Sequence, residues 1–242
     1  MRRFIIIAMT LLPSDAFAMH IAEGILPVNW AVLWFVVAAS FFFLGLWRLK
    51  KVSLDDMTFK PLAGLLAAVV FIISALPVPV PVAGSVSHPT GIGLTAVLLG
   101  PWISVVIASA ALLMQALFMA HGGLSTLGGN VLSMGVVGAF CGYIAFRSLR
   151  GFGLFPAALI AGIVADWMTY ISTSAVLSLG IRGEDPFGPL FLKIIIAFIP
   201  AQAPIGILEG FVTAGMVSLL MKRRPDILIK LKLMKPGKEA HA

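Results

Sequence analysis

Charge is what this sequence has least of: 11% of its 242 residues are Asp, Glu, Lys or Arg, against roughly 25% in a soluble domain. So few charges cannot solvate a water-exposed surface, while 60% of the residues are hydrophobic and the mean hydropathy is +1.06. A soluble enzyme, a nucleic-acid-binding domain and a disordered chain are thereby excluded, and lipid is the solvent for most of the molecule. Cysteine is nearly absent. Cys141 is alone, so it forms no intrachain disulfide and no thiolate cluster, and it reads as a small packing residue. Catalytic signatures are missing as well. There is no Gly-rich phosphate loop, no His-Glu-x-x-His and no Gly-x-Ser-x-Gly, so the chain is read as no enzyme and as unable to hydrolyse ATP itself. The net charge of +7 is assigned to basic loops beside the membrane and not to a nucleic-acid partner.

What is present begins with an address. Arg2 and Arg3 precede an apolar run from Phe4 to Leu12, followed by Pro13 and Ala16-Phe17-Ala18, the charged, apolar and small-x-small order of a secretory signal. Residues 1–18 are read as a cleavable signal peptide, residues 19–222 as a transmembrane substrate-binding domain and residues 223–242 as a basic cytoplasmic tail. The apolar segments after residue 19 run over about 29–47, 61–76, 91–120, 128–146, 154–179 and 190–221. The third is long and holds Gly100-Pro101-Trp102, a helix break. Counting it as two crossings puts Arg48, Lys50, Lys51 and Lys60, then Arg147 and Arg150, then the tail cations all on the cytoplasmic side, as the positive-inside rule asks. The expected fold is an all-α polytopic membrane bundle of about seven transmembrane helices, one of them short and set inside the bundle. Its mature N-terminus is outside and its C-terminus cytoplasmic.

That topology brings Met19-His20 and the loop bearing His88 to one outer face. Cleavage after Ala18 frees the amine of Met19. That amine, the backbone nitrogen of His20 and His20 Nδ1 can chelate one metal ion in a plane, and an imidazole from His88 completes the square. Four planar nitrogens suit Ni(II) or Cu(II), and low-spin Co(II) accepts them, whereas Zn(II) prefers a tetrahedron. Ser85, Ser87 and Thr90 surround His88 with hydroxyls that can orient the ring. His121 opens His121-Gly122-Gly123-Leu124-Ser125-Thr126 at the outer end of a span. It reads either as a group behind the ligands or on the metal's way in, or as a plain interfacial histidine. His241 is placed in solvent. Two acids, Asp166 and Glu209, lie inside apolar segments and must face the bundle interior, a partner or an end. Both a metal path or partner contact and a simple interior hydrogen bond are open to them, with Thr169, Tyr170 or Ser172 near Asp166. Glu209 is placed mid-span, away from the outer histidines.

Four segments carry a family resemblance: Met19-His20-Ile21-Ala22-Glu23-Gly24-Ile25-Leu26-Pro27, Ser87-His88-Pro89-Thr90-Gly91-Ile92-Gly93-Leu94, His121 to Gly128, and Ala197 to Gly210. In these the sequence resembles the cobalt-transport CbiM family, the substrate-binding components of energy-coupling-factor transporters for cobalt and nickel. The resemblance implies a metal site of the Met19 amine, the His20 backbone and ring nitrogens and the His88 imidazole. Ser87, Thr90, His121 and Asn130 are expected behind those ligands. It implies Co(II), or alternatively Ni(II), as transported substrate with no permanent cofactor, and a cell inner membrane location. ATP-driven uptake would supply cobalamin biosynthesis. The implied partners are a transmembrane coupling protein, cytoplasmic ATPase subunits and a small accessory membrane subunit. Contact with the coupling protein is expected through small residues four apart, here Ala63 and Ala67. An intramembrane enzyme built on Asp166 and Glu209, or a passive metal channel, is the more distant alternative.

Overall fold

The computed structural model describes residues 20–55, 59–76, 78–79 and 86–235. The signal segment, Met19, Ser85 and His241 lie outside them. Among the described residues the regular structure is helical apart from one two-residue antiparallel pair. In order it forms α1 (Val28–Asp55), α2 (Phe59–Ser74), β1 (Val78–Pro79), β2 (Val86–Ser87), α3 (Ile92–Leu99) and α4 (Pro101–Phe118). Then come α5 (Leu127–Phe152), α6 (Leu154–Ile181), α7 (Phe187–Arg223) and α8 (Pro225–Lys230).

Five of these, α1, α4, α5, α6 and α7, are long and apolar enough to cross a bilayer, against the about seven expected. The shortfall has a length reason. The apolar α2 has 16 residues and α3 has 8, so α3 rises only about 12 Å against a hydrocarbon core of about 30 Å. The break between α3 and α4 falls at Gly100, whose φ of 81° suits glycine. Pro101 then opens α4, where its missing N–H costs nothing. Every residue of α3 from Ile92 to Leu98 is buried, so this helix is apolar on all sides because protein surrounds it.

Small residues let the helices around α3 approach closely. A Cβ on Gly93 would stand 2.7 Å from the Gly162 Cα of α6, and one on Gly162 would stand 2.8 Å from the Gly210 Cα of α7. Ala157, Ala158, Ala161 and Ala165 on α6 are wholly buried in the same seam, which is how membrane helices pack when lipid supplies no hydrophobic drive. Within α5, Val131–Gly138 is π-helical, a widened turn that recurs near functional sites. By contrast α1 and α7 expose large side chains such as Phe43 (65%) and Ile196 (63%), the surface that lipid covers.

Ala63 of α2 lies in the main core and Ala67 packs half-buried beside it, so this pair sits on the side of α2 turned toward the bundle. After α7, the segment through residue 235 returns to the body. Leu228 is fully buried, and the Arg150 guanidinium donates to the carbonyls of Lys232 (2.8 Å) and Leu233 (3.1 Å).

Candidate metal centre

Three segments far apart in the chain meet at one end of the bundle. The first, residues 20–27, is tied down by its apolar and polar groups together. Ile21 and Leu26 are buried, and the Ile21 N–H donates to Asn130 Oδ1 at 2.8 Å. The Ile21 carbonyl accepts from Asn130 Nδ2 at 3.1 Å and from Thr126 Oγ1 at 2.5 Å. Asn130 stands at the start of the π-helical stretch and so holds both backbone groups of the residue after His20.

The loop from His121 to Thr126 forms the seat for this segment. Ser125 N–H donates to the Glu23 carboxylate at 3.1 Å, and Gly24 N–H to Ser125 Oγ at 3.4 Å. Gly123 has no room for a side chain, because a Cβ there would lie 2.6 Å from Glu23 Cα. Its neighbour Gly122 has φ +80° and faces the His20 side chain.

The third segment carries His88 and is gripped from α6 and α7. The Tyr170 hydroxyl donates to the His88 carbonyl at 3.2 Å and lies 3.0 Å from Ser87 Oγ. Ser87 Oγ in turn donates to Gln202 Oε1. Two residues beyond His88, the Thr90 N–H and hydroxyl both donate to the Glu209 carboxylate, at 2.5 and 2.7 Å. Gln202 Nε2 donates to Asp166 Oδ2 at 2.6 Å. The partner of Asp166 is therefore on another helix and is none of Thr169, Tyr170 or Ser172. Nor is Glu209 remote from the histidines. The His88 loop dips far enough into the bundle for a mid-helix carboxylate of α7 to reach it.

His20, His88 and His121 close around one point. Ring centres are 4.7 Å apart for His20–His88 and 4.9 Å for each of the other two pairs, and one nitrogen from each ring lies within 4.8 Å of the others. His20 and His88 are buried and His121 is half-buried. His88 Nδ1 lies 2.9 Å from the Pro89 carbonyl. A carbonyl only accepts, so Nδ1 carries the proton and Nε2 keeps its lone pair. The Nε2 atoms of all three rings are buried with no hydrogen-bond partner, a costly arrangement unless something else fills the position.

Electrostatics point the same way. Burial first, then the charges of His88 and His121, hold His20 well below its usual value, and only the Gln115 side chain opposes. Burial first, then His121, brings His88 down to about 3, the Pro89 carbonyl working against it, and burial lowers His121. All three rings are thus neutral at pH 7, the form that binds a metal. The same shifts cost stability in acid. Below the unfolded value of 6.5 the unfolded chain takes up protons that the folded chain refuses, so stability is complete above pH 6.5 and falls toward about pH 3. For His88 alone the slope is about 1.4 kcal/mol per pH unit. Thermal melts of the detergent-solubilised protein at pH 7, 5.5 and 4.5 are expected to show a Tm falling with pH, less steeply in His88→Gln.

His121 carries no motif of its own. The signal that could have placed it at the centre was its topology: the same charge counting that set His20 and His88 on one face set His121 there too. Tyr170, Gln202 and Gln115 had no such signal, being single polar residues within apolar helices.

The profile of the CbiM family, described as the cobalt uptake substrate-specific transmembrane region, matches residues 20–227. The chain is 58% identical over 234 residues to the cobalt transport protein CbiM of Geobacter sulfurreducens, covering 96% of this chain and 68% of that one. It is 49% identical over 223 residues to the cobalt transport protein CbiM of Sorangium cellulosum, covering 90% and 99%. Among solved structures, the crystal structure of a transition metal transporter superposes with a TM-score of 0.74 at 25% identity, covering 88% of this chain and 99% of that one.

Proposed function

We propose, from the premise that this chain belongs to the CbiM family of cobalt uptake transport components, that it is the substrate-capturing subunit of an ATP-driven cobalt importer. The observation that carries this reading is the convergence of three neutral imidazoles, one nitrogen of each lying within 4.8 Å of the others. Co(II), captured at the outer face, is the substrate. The Met19 amine, the His20 backbone and ring nitrogens and the His88 imidazole hold it, and the Asn130 clamp on Ile21 presents the His20 backbone for chelation. Removal of residues 1–18 creates that amine. Energy comes from a transmembrane coupling protein and cytoplasmic ATPases, with a small accessory membrane subunit, since the chain has no phosphate-binding loop of its own. The product is cytoplasmic Co(II) for cobalamin synthesis.

An inner-membrane orientation with the site outside is supported by charge. Arg48, Lys50 and Lys51 lie near the end of α1 away from the site, and Arg147 and Arg150 near the corresponding end of α5.

Proton release tests the ligand set. The imidazoles are already neutral, so they release nothing at pH 7. The Met19 amine and the His20 amide would together release about two protons per Co(II) bound. Titration of the purified protein in weak buffer, with the N-terminal residue identified by mass spectrometry, is expected to show a Met19 start and this release. Release near zero, or affinity indifferent to His20→Ala and His88→Ala, would overturn the assignment.

A further inference from the structure

We propose that His121 is a direct ligand of the captured ion, occupying the position off the plane of the other four nitrogens, and that it favours Co(II) over Ni(II). The inference rests on the four-nitrogen reading above and adds a fifth donor to it.

Three observations place His121 there. Its ring centre is 4.9 Å from those of both His20 and His88, so it addresses the same point from a third direction. Its Nε2 is buried and has no hydrogen-bond partner, and neither of the other two free Nε2 atoms pairs with it. The backbone is also shaped to aim it. Ala120 has φ 49° and Gly122 φ 80°, two left-handed residues flanking the histidine, while its own N–H donates to the Gln115 carbonyl at 3.2 Å. Left-handed backbone at a residue other than glycine is costly and persists where surrounding structure enforces it. Metal–imidazole bonds are about 2.0–2.1 Å, so nitrogens now within 4.8 Å of one another need only a short contraction to share one ion.

The preference follows from electron count. In a plane of four strong nitrogen donors, d8 Ni(II) is low-spin with its axial d orbital filled, and a fifth donor gains little. Low-spin d7 Co(II) has one electron in that orbital and accepts an axial nitrogen. An imidazole off the plane therefore adds affinity for Co(II) and almost none for Ni(II), against the Irving–Williams order that ranks nickel higher.

The test uses the purified full chain in detergent, loaded anaerobically with Co(II), as wild type and as His121→Ala. Wild type is expected to give a low-spin Co(II) electron paramagnetic resonance signal whose 59Co hyperfine lines are each split into three by one axial 14N nucleus. In His121→Ala the splitting disappears and returns on adding free imidazole, which shows that the rest of the site is intact. Competition titration is expected to show the Co(II)-over-Ni(II) affinity ratio falling about tenfold or more. An unchanged signal with an unchanged ratio overturns the proposal, as does a high-spin signal in wild type, which removes the plane. Co(II) binding that ignores His20→Ala and His88→Ala would instead sink the four-nitrogen reading beneath it.

Discussion

Replacing His88 by alanine is expected to lower Co(II) affinity by about 10²–10³-fold while leaving the bundle folded. Structural zinc sites with four protein ligands are worth roughly 10–16 kcal/mol in apparent binding energy; on that scale one ligand of four carries about 2.5–4 kcal/mol, and each 1.4 kcal/mol is a factor of ten. The loss is confined to the metal because the loop does not depend on the imidazole for its position. Tyr170 holds the His88 carbonyl, Gln202 holds Ser87, and Glu209 holds Thr90. Circular dichroism and a melting curve should therefore stay close to wild type while equilibrium dialysis with Co(II) shows the loss. Affinity within a factor of three of wild type would remove His88 from the ligand set.

Cutting the Thr90–Glu209 contact is expected to weaken Co(II) binding by about 10–100-fold, the usual range when a group that orients a ligand is lost. Glu209 is 1% exposed and takes two hydrogen bonds from one residue, which ties mid-α7 to the loop two residues after His88. Thr90→Val keeps the shape and removes the hydroxyl, leaving a buried carboxylate oxygen short of a donor at a cost of about 1–3 kcal/mol. Thr90→Ser keeps the donor. The expected pattern is weak binding in Thr90→Val and Glu209→Gln and near-wild-type binding in Thr90→Ser, read by dialysis beside a melting curve. Wild-type affinity in Thr90→Val would leave the contact a matter of packing alone.

These contacts bear on how this chain keeps Asp166 and Glu209 inside apolar helices. A carboxylate in hydrocarbon must find partners, and here they come from a re-entering loop and from another helix. Gln202 bridges the two, accepting from Ser87 and donating to Asp166. One polar seam thus runs from the His88 loop down to α6 and α7, packed along the Gly162–Gly210 contact.

Much of this protein was determined by local properties of its sequence. Too little charge for a water-exposed surface forces the chain into lipid, because solvation is additive over residues and needs no fold to compute. The break at Gly100-Pro101 and the short, apolar character of α3 follow from backbone chemistry and hydropathy within a few residues. Charge asymmetry along the chain placed His20, His88 and His121 on one face.

Only the tertiary structure decided what those residues do with one another. Asn130 grips Ile21 across 109 residues and Glu209 grips Thr90 across 119, separations over which neither periodicity nor hydropathy carries information. The same holds for His121, whose membership in the centre depends on two left-handed residues and on a glycine seat that admits the N-terminal segment. It holds for the crossings as well, since α3 is shorter than a bilayer is thick and is accommodated because neighbouring helices, and not lipid, pack around it, whereas α2 is buried along one face only. A residue's affinity for lipid or water is its own, whereas its partner in a buried hydrogen bond or at a metal is set by where other helices end.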